Sequence, residues 1–235
     1  MAIDRPIRID YFSDILCSWA YTAQIRLDEL AQNFGKKIDI RYHFIPVFGC
    51  TKQRIGEGWK DRGGYQGFSE NVLNVCHDFP HVEVHPEIWT RNIPASSASC
   101  HHFLKAVQLL ERTGQITDAH HDALNGKSLF EAAIWRFREA FFRELRNIGE
   151  RSCQLEIAAE IGLPQDAILE QLDSGNAMAA LCCDLDLYER YRIEGSPSYV
   201  LNEGRQKLYG NVGYRVIEAN VEELLRRPEG QTSWC

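Results

Sequence analysis

One cysteine near the start of the chain, Cys17, stands where its side chain could act as a nucleophile. It follows a segment with the alternating pattern of a strand and precedes a segment with helical periodicity, so we expect it at a helix N-terminus. Unpaired backbone N–H groups and aligned peptide dipoles stabilise an anion there, which would lower the pKa of the thiol from its usual value of about 8.5. Ser18 would cap the helix or donate to the sulfur, and Trp19 would form one wall of the site.

Only half of a dithiol motif is present at this place. A C-x-x-C pair would have its second cysteine three residues after Cys17, where the chain has Ala20. A lone thiolate can attack a disulfide and hold a mixed disulfide until another thiol releases it, or it can add to an electrophilic carbon and leave again. Taken alone, Cys17 also fits the commonest role of an unpaired cysteine, a small buried apolar residue.

The thiol that releases a mixed disulfide can belong to another molecule or to another cysteine of this chain. Cys50, just after the second predicted strand, is the first candidate. Cys182 and Cys183 are weaker candidates, because the amphipathic pattern around them places them in the core.

A second notable residue, Pro197, lies far along the chain in the segment GSPSYV, at the beginning of a predicted strand. Proline removes a ladder hydrogen bond from a strand, so its presence there needs a reason. It is either a simple turn proline or part of a cis Ser196–Pro197 bond, which would leave the backbone of Ser196 available to an extended, peptide-like ligand. The residues alone leave both interpretations open.

The elements that would position these residues begin with a β-α-β unit. Residues 7–12 alternate as a strand, a helix runs from Ser18 to a glycine stop at Gly35, and residues 37–48 indicate a second strand. Such a unit implies parallel strands and a right-handed crossover. Residues 56–68 are rich in glycine and aromatics, which favours either a mobile contact loop or a surface loop whose aromatics cover the core.

Helical periodicity then dominates up to about residue 191, before a short α/β ending. Four amphipathic segments are predicted as helices: 97–114, 129–145, 152–164 and 177–195. Residues 196–210 contain two short strand-like runs joined by a turn at 202–205, and residues 214–227 form a closing helix. Its predicted apolar side consists of Val216, Ile217, Val221, Leu224 and Leu225.

This order of elements predicts an α/β protein with the thioredoxin fold, a four-stranded mixed sheet, and a large helical insertion. We assign residues 1–50 and 193–227 to the thioredoxin-like domain, 51–192 to a helical insertion domain above it, and 228–235 to a tail, in which Trp234 could dock.

Composition excludes several classes of protein. The 235 residues are 44% apolar and 25% charged, enough for a sizeable core, and the net charge of −7 argues against a general nucleic-acid binder. No segment approaches the ~20 unbroken apolar residues that span a bilayer, and the first residues show no signal-peptide core. We therefore expect a cytoplasmic protein with no nucleic-acid or membrane partner, whose eight cysteines are mostly reduced.

A metal–thiolate site has weak support. Cys76-His77 and Cys100-His101-His102 hold ligand types, but their spacing matches no known ligand set. We therefore expect no metal.

The motifs and their order resemble the DsbA-like branch of the thioredoxin superfamily, including FrnE-type DsbA proteins, 2-hydroxychromene-2-carboxylate isomerases and kappa-class glutathione transferases. DYFSDILCSWAYTA is similar to their D-F-x-x-D/S-x-x-C/S-P-W/Y opening, and GSPSYVLN is similar to their G-V-P-x-F-V segment. The resemblance implies that Cys17 is the attacking cysteine and Trp19 the aromatic residue of the motif. It also implies that Pro197 is the family's cis-proline, and that the backbone of Ser196 holds glutathione or a peptide.

Two departures from the family pattern shape the expected function. Ala20 replaces the resolving cysteine, and LYGNVGYR stands where glutathione-using relatives have GSDR or GQDR, whose acidic residue holds the γ-glutamyl amine. Asn211 remains to contact glutathione at that place, with Ser18 and Trp19 as further contacts.

The residues and the resemblance together leave three functions open, the third of them suggested by the Cys-His pairs. The first is thiol–disulfide exchange through Cys17, with glutathione as cosubstrate or a protein thiol or disulfide as partner. The second is a glutathione-dependent isomerase or transferase for a small aromatic or electrophilic compound, bound between the helical cap and the aromatic loop. The third is a non-catalytic binding protein or metal–thiolate sensor. Related proteins are often dimers, so a homodimer is a further expectation.

Overall fold

A four-stranded mixed sheet forms the centre of the protein, as seen in a computed structural model that describes residues 5–119, 124 and 126–226. The strands are β1 (Ile7–Ser13), β2 (Ile38–Phe44), β3 (Ser198–Leu201) and β4 (Gln206–Tyr209). Their order across the sheet is β2-β1-β3-β4. β1 runs parallel to β2, and β3 runs antiparallel to both β1 and β4. The predicted mixed sheet of the thioredoxin fold is therefore confirmed.

Helices cover the sheet and make up most of the chain between its two halves. The described residues form α1 (Ser18–Phe34), α2 (Gly64–His77), α3 (Ala98–Arg112), α4 (Leu129–Phe142), α5 (Arg151–Glu160), α6 (Gln165–Asp173), α7 (Asn176–Arg190) and α8 (Tyr214–Arg226). α1 ends at Gly35, as predicted, because its φ of 50° lies in a region that glycine enters more readily than other residues.

The prediction of a loop at residues 56–68 is wrong, because much of this stretch has a helical backbone. A π-helix (Lys52–Glu57), a 3-10 turn (Lys60–Arg62) and the start of α2 occupy this stretch. Phe68 packs edge to face with Trp59 and with the buried Trp89, at centroid distances of 5.0 and 5.4 Å. The aromatic residues thus cover the core, and this packing stabilises helical turns that the local glycine content disfavours.

Two smaller expectations also fail. Cys182 and Cys183 are exposed on α7, because the buried positions of this helix fall at Ala177, Leu181 and Asp184. On α8, residues Ile217, Val221 and Leu224 are buried as predicted, whereas Val216 is 49% exposed. In addition, α6 was not foreseen from the sequence.

The four strands come from residues 7–44 and 198–209, and α2 to α7 lie between these two pieces. The division into a thioredoxin-like domain and an insertion domain stays a prediction, and the tail 228–235 with Trp234 lies outside the described residues. In the part of the chain that is described, no helix combines the length and the apolar character needed to cross a membrane.

Candidate active site

Cys17 occupies the N-terminus of α1, as the sequence predicts. Its backbone is extended, with φ of −82° and ψ of 118°, and its carbonyl accepts the first helical hydrogen bond from the N–H of Tyr21 at 3.0 Å. The N-cap is therefore Cys17 itself. The expectation that Ser18 caps the helix is wrong, because Ser18 is already the first helical residue.

The segment around Pro197 reaches the sulfur of Cys17, although the two lie at opposite ends of the chain. The Cys17 thiol donates to the carbonyl oxygen of Ser196, with 3.3 Å between Sγ and O. The hydroxyl of Ser196 accepts the N–H of Asp14 at 2.9 Å, which joins the same two segments a second time. The Ser196–Pro197 peptide bond is cis. β1 and β3 are neighbours in the sheet, so the ends of these strands carry both segments to one place.

Burial dominates the acidity of Cys17. Desolvation raises the pKa of its thiol, whereas hydrogen bonds with the Ser196 side chain and the backbone of Ala20 and Trp19 lower it, and the charge of Asp14 raises it again. The net pKa lies above the usual value. The expectation of a lowered pKa is therefore wrong: with only 6% of Cys17 exposed, loss of hydration outweighs the N–H groups of the helix.

Two other predicted binding residues, Trp19 and Asn211, differ in how far they are buried. Trp19 is half-buried and packs edge to face with Phe79, with 6.4 Å between ring centroids. The carbonyl of Pro197 accepts the N–H of Gly210 at 2.9 Å, so the loop before α8 lies beside it. Asn211 follows directly in that loop and is exposed. The backbone of this loop therefore lies beside Pro197, and the binding roles of Trp19 and Asn211 stay predictions.

Cys50, the predicted resolving cysteine, is exposed in the loop after β2. The same loop contacts the active-site segment through a different residue, since the N–H of Phe48 donates to the carboxylate of Asp14 at 2.8 Å. That hydrogen bond brings the backbone of the loop to the active-site segment. The role of Cys50 as the resolving thiol stays a prediction.

Asp14 is a site residue that the sequence reasoning missed. Its fully buried carboxylate accepts hydrogen bonds from the N–H of Leu16 at 2.8 Å, the N–H of Phe48 at 2.8 Å and the hydroxyl of Ser97 at 2.7 Å. These donors belong to the Cys17 turn, the loop after β2 and the start of α3. An aspartate directly after a strand is a common turn residue, so only the two long-range partners, Phe48 and Ser97, reveal its role.

His101, considered above as a metal ligand, instead holds the same turn. Its Nε2 accepts the N–H of Ile15 at 3.0 Å, and its ring stacks on Phe44 with centroids 5.2 Å apart. His101 is fully buried. Within the described residues, no group of three or more His, Cys, Asp or Glu side chains could hold a metal ion.

A cavity of about 810 Å³ lies away from the cysteine, at the opposite end of α1. Its lining includes Leu27, Asp28 and Gly35 of α1 and its C-terminal stop, together with Ile38 and Tyr42 of β2. Its lining includes no residue of the first turn of α1 and none of residues 56–68. It is therefore not the small-molecule pocket expected between the helical cap and the aromatic loop.

Known proteins share this architecture over almost the whole chain. Cytosolic disulfide reductase DsbM from Pseudomonas aeruginosa is 23% identical, with a TM-score of 0.63 over 93% of this chain and 98% of that one. The same protein with GSH gives 24% identity and a TM-score of 0.60, over 93% and 99% of the two chains. A 2-hydroxychromene-2-carboxylate isomerase is 17% identical, with a TM-score of 0.60 over 94% and 97% of the two chains.

Among curated proteins, the ClpXP adapter protein SpxH from Shouchella clausii is 20% identical over 226 residues, 94% of this chain and 68% of that protein. At these identities the structural likenesses show the common fold. The model of the DSBA-like thioredoxin domain matches residues 8–222, which include Cys17, Ser196 and Pro197. Oxidoreductases and isomerases both occur among the proteins with this fold. With a match that extends from β1 into α8, the chain belongs to the family of DSBA-like thioredoxin domains.

Proposed function

We propose that this protein is a thiol–disulfide oxidoreductase that works through one active-site cysteine, by mixed-disulfide exchange with glutathione or a protein thiol. The observation that carries the proposal is the position of the Cys17 sulfur, at the N-terminus of α1 and 3.3 Å from the Ser196 carbonyl, with Ala20 in place of a second cysteine. The DsbA-like fold and the similarity to DsbM support it.

In this proposal, ligand binding activates the thiol. At rest Cys17 is protonated and donates to the Ser196 carbonyl, whose partial negative charge disfavours a thiolate beside it. An extended ligand whose N–H groups pair with that carbonyl would occupy this acceptor. The sulfur could then lose its proton and accept hydrogen bonds from the Ser196 side chain and the backbone of Ala20, the groups that lower its pKa. Binding and nucleophile formation are thereby coupled.

The reaction itself has two exchange steps. The Cys17 thiolate attacks one sulfur of a disulfide, the sulfur–sulfur bond breaks, and the departing thiolate takes up a proton. A second thiol then attacks the mixed disulfide and releases the remaining half. Because the helix has alanine at position 20, this second thiol does not come from the first turn of α1.

Glutathione is the proposed cosubstrate, and no metal takes part. The similar DsbM is known in a form with GSH, which supports this assignment. The binding surface would comprise Ser18, Trp19, the Ser196–Pro197 segment and the exposed Asn211. We place the reaction in the cytoplasm, where the glutathione pool is reducing. The similar DsbM is a cytosolic disulfide reductase, which supports this placement. A homodimer stays a prediction.

The proposal is tested by following release of glutathione from a glutathionylated peptide, with reduced glutathione as the second thiol. We expect Cys17→Ser to lower the rate by roughly 100-fold or more, because it removes the nucleophile. Cys182→Ser, which changes an exposed cysteine on α7, is the control and should retain the wild-type rate. Equal rates for wild type and Cys17→Ser would disprove a reaction through this sulfur.

The raised pKa of Cys17 favours a second candidate function, a glutathione-dependent isomerase. A neutral Cys17 thiol can donate a hydrogen bond to the thiolate of bound glutathione, which would then add to an electrophilic substrate. The similarity to a 2-hydroxychromene-2-carboxylate isomerase supports this alternative. It predicts that Cys17→Ser retains glutathione-dependent activity on a small aromatic substrate, since a hydroxyl can donate the same hydrogen bond.

A further inference from the structure

We propose that Cys76 is the resolving thiol of this protein: it attacks the mixed disulfide on Cys17, forms a Cys17–Cys76 disulfide and releases the second product. The inference rests on the proposed thiol–disulfide exchange and adds to it a catalytic residue outside the helix turn of Cys17. Cys76 lies near the end of α2, a helix of the segment between the two halves of the sheet.

The end of α2 packs along the beginning of α1. Phe79, three residues after Cys76, contacts Trp19 edge to face, and its N–H donates to the carbonyl of Cys76 at 2.9 Å. Two further contacts continue the same line: the Tyr21 hydroxyl reaches the carbonyl of Glu83 at 3.3 Å, and His81 Nε2 reaches the carbonyl of Thr22 at 2.9 Å. Residues 76–83 therefore lie against the first two turns of α1.

Within this packing, the two sulfur atoms share an apolar environment. Cys76 is 5% exposed and Cys17 6%, and both belong to the same cluster of buried side chains. Cys50 in contrast is exposed after β2, and Cys182 and Cys183 are exposed on α7. Cys100 on α3 and Cys153 on α5 are also buried, but Cys76 is the buried cysteine on the helix whose following residues contact the first two turns of α1.

The pKa of Cys76 agrees with this packing of α2 against α1. Burial raises the pKa of Cys76 to about 11, and negative charge on Cys17 is the second cause of this rise. Burial, the charge of Glu139 and the charge of Cys76 raise the pKa of Tyr21 on α1. Charges act on another group in this way when the two are close in a medium of low polarity. Negative charges on Cys17 and Cys76 would therefore disfavour each other.

Repulsion between the two charges favours one order of the two steps. While Cys17 carries negative charge, ionisation of Cys76 is disfavoured. Once Cys17 has attacked a disulfide, its sulfur is bonded and uncharged, so this part of the hindrance to the ionisation of Cys76 disappears, whereas burial, its larger cause, remains. The Cys76 thiolate then attacks the Cys17 sulfur, the bond to the glutathione sulfur breaks, and the departing thiolate takes up the proton that Cys76 lost.

The electrons gained and lost in the cycle are equal when reduced glutathione is the reductant. One substrate disulfide becomes two thiols, and the two protein thiols become one disulfide. Two molecules of reduced glutathione restore Cys17 and Cys76, the first by forming a mixed disulfide and the second by releasing it as oxidised glutathione. The protein is thus a dithiol reductase whose two cysteines come from different helices.

The test is peptide mapping after incubation with one equivalent of oxidised glutathione, acid quenching and alkylation of the remaining thiols. Trypsin separates Cys17, Cys50 and Cys76 into residues 9–26, 42–52 and 63–91. We expect wild type to yield linked peptides 9–26 and 63–91, and Cys76→Ser to yield peptide 9–26 with a glutathione adduct. Cys76→Ala repeats the measurement should the serine variant fold poorly. Cys153→Ser, which changes a buried cysteine on α5, is the matched control and should retain the link.

The outcomes separate this inference from the function on which it rests. A glutathione adduct on peptide 9–26 that is equally stable in wild type and Cys76→Ser would overturn the role of Cys76 and leave exchange through Cys17 intact. A link between peptides 9–26 and 42–52 would likewise overturn the role of Cys76 and would identify Cys50 as the resolving thiol. Absence of both adduct and link on peptide 9–26, in wild type and in the variants, would overturn the proposed function together with the inference.

Discussion

At the residue scale, the sulfur of Cys17 is subject to opposing influences. The hydrogen bonds with the Ser196 side chain and the backbone of Ala20 and Trp19 favour the thiolate, whereas burial and the charge of Asp14 favour the thiol. Burial is the largest of these, so the resting state is protonated at neutral pH. In the proposed reaction, the bound ligand therefore has to help to form the thiolate.

We expect the hydroxyl of Ser196 to affect the pKa of Cys17. Ser196→Ala removes a group that lowers the pKa of Cys17, so the pKa should rise further and alkylation of Cys17 should need a higher pH. The measurement is the rate of iodoacetamide modification of peptide 9–26 between pH 6 and 10. Ser174→Ala, which changes an exposed serine after α6, should leave the profile unchanged. A Ser196→Ala profile that coincides with wild type would show that this hydroxyl does not reach the sulfur.

Ala20 is expected to set the number of thiols in the first turn. Ala20→Cys places a second thiol three residues after Cys17, in the spacing of a C-x-x-C pair, so an internal disulfide should form within α1. Mild oxidation followed by mass spectrometry should then show a new bond inside peptide 9–26 instead of a link between peptides. If oxidised Ala20→Cys protein shows no bond within this peptide, the first turn does not have the geometry that the fold implies.

At the scale of elements, one carboxylate joins the active-site turn to its neighbours. Asp14 connects the Cys17 turn, the loop after β2 and the start of α3 through hydrogen bonds from Leu16, Phe48 and Ser97. His101 of α3 adds a fourth connection by accepting the N–H of Ile15. The position of Cys17 therefore depends on α3 and on the loop after β2 as well as on β1 and α1.

Removing that carboxylate should destabilise the whole fold. Asp14→Ala leaves two buried N–H groups and a buried hydroxyl without their acceptor, which should lower the free energy of unfolding by roughly 3 kcal/mol or more. Urea unfolding followed by circular dichroism measures the loss. Asp186→Ala, on the exposed side of α7, is the control, with an expected change within about 0.5 kcal/mol. A similar small change for Asp14→Ala would contradict the assigned role.

At the scale of the whole molecule, a buried charge cluster joins the sheet to the helices. His43 of β2 lies between two carboxylates, 2.7 Å from Asp10 of β1 and 2.8 Å from Asp184 of α7. Lys105 of α3 forms an ion pair with Asp184 at 2.9 Å. The backbone N–H of Phe44 also donates to the Asp184 carboxylate, at 2.9 Å. Because both nitrogens of His43 face carboxylates, the protonated ring, a donor at each nitrogen, fits this place.

This cluster predicts that stability declines as pH rises above neutrality. Burial by itself would lower the pKa of His43, but hydrogen bonds and charge from Asp10 and Asp184 outweigh it, and the pKa is raised above 6.5. Its stabilising contribution is therefore complete below pH 6.5 and is lost as pH rises through the folded-state pKa. The pKa values of Asp10 and Asp184 are lowered, so their contribution is lost in the opposite direction, as pH falls below 3.8.

The measurement is the urea midpoint between pH 6 and 8, and the comparison with His43→Gln cancels the ionisation of unfolded cysteines, which begins below their pKa of about 8.5. We expect a falling midpoint for wild type and a flatter profile for His43→Gln. The variant should also be less stable throughout, by about 3 kcal/mol, because two buried carboxylates lose one of their cationic partners and keep only Arg8 and Lys105 respectively. Parallel profiles for the two proteins would show that His43 does not titrate over this range.

The sequence by itself determined the local elements and the position of the candidate nucleophile. Hydrophobic periodicity predicts β1, α1 and the β3–β4 hairpin, and the glycine stop at Gly35 and the absence of a second thiol at Ala20 are visible in the sequence. These properties depend on residues within a few positions of one another, which is why a pattern can reveal them.

Only the tertiary structure decided the protonation of Cys17, the packing of α2 and its following residues against α1 and the helical state of much of residues 52–77. Each depends on residues distant in sequence: apolar packing removes water from the Cys17 sulfur, α2 lies against α1, and Trp89 covers the aromatic side chain of Phe68. Desolvation and contacts between elements are properties of the packed chain, and no local pattern carries them.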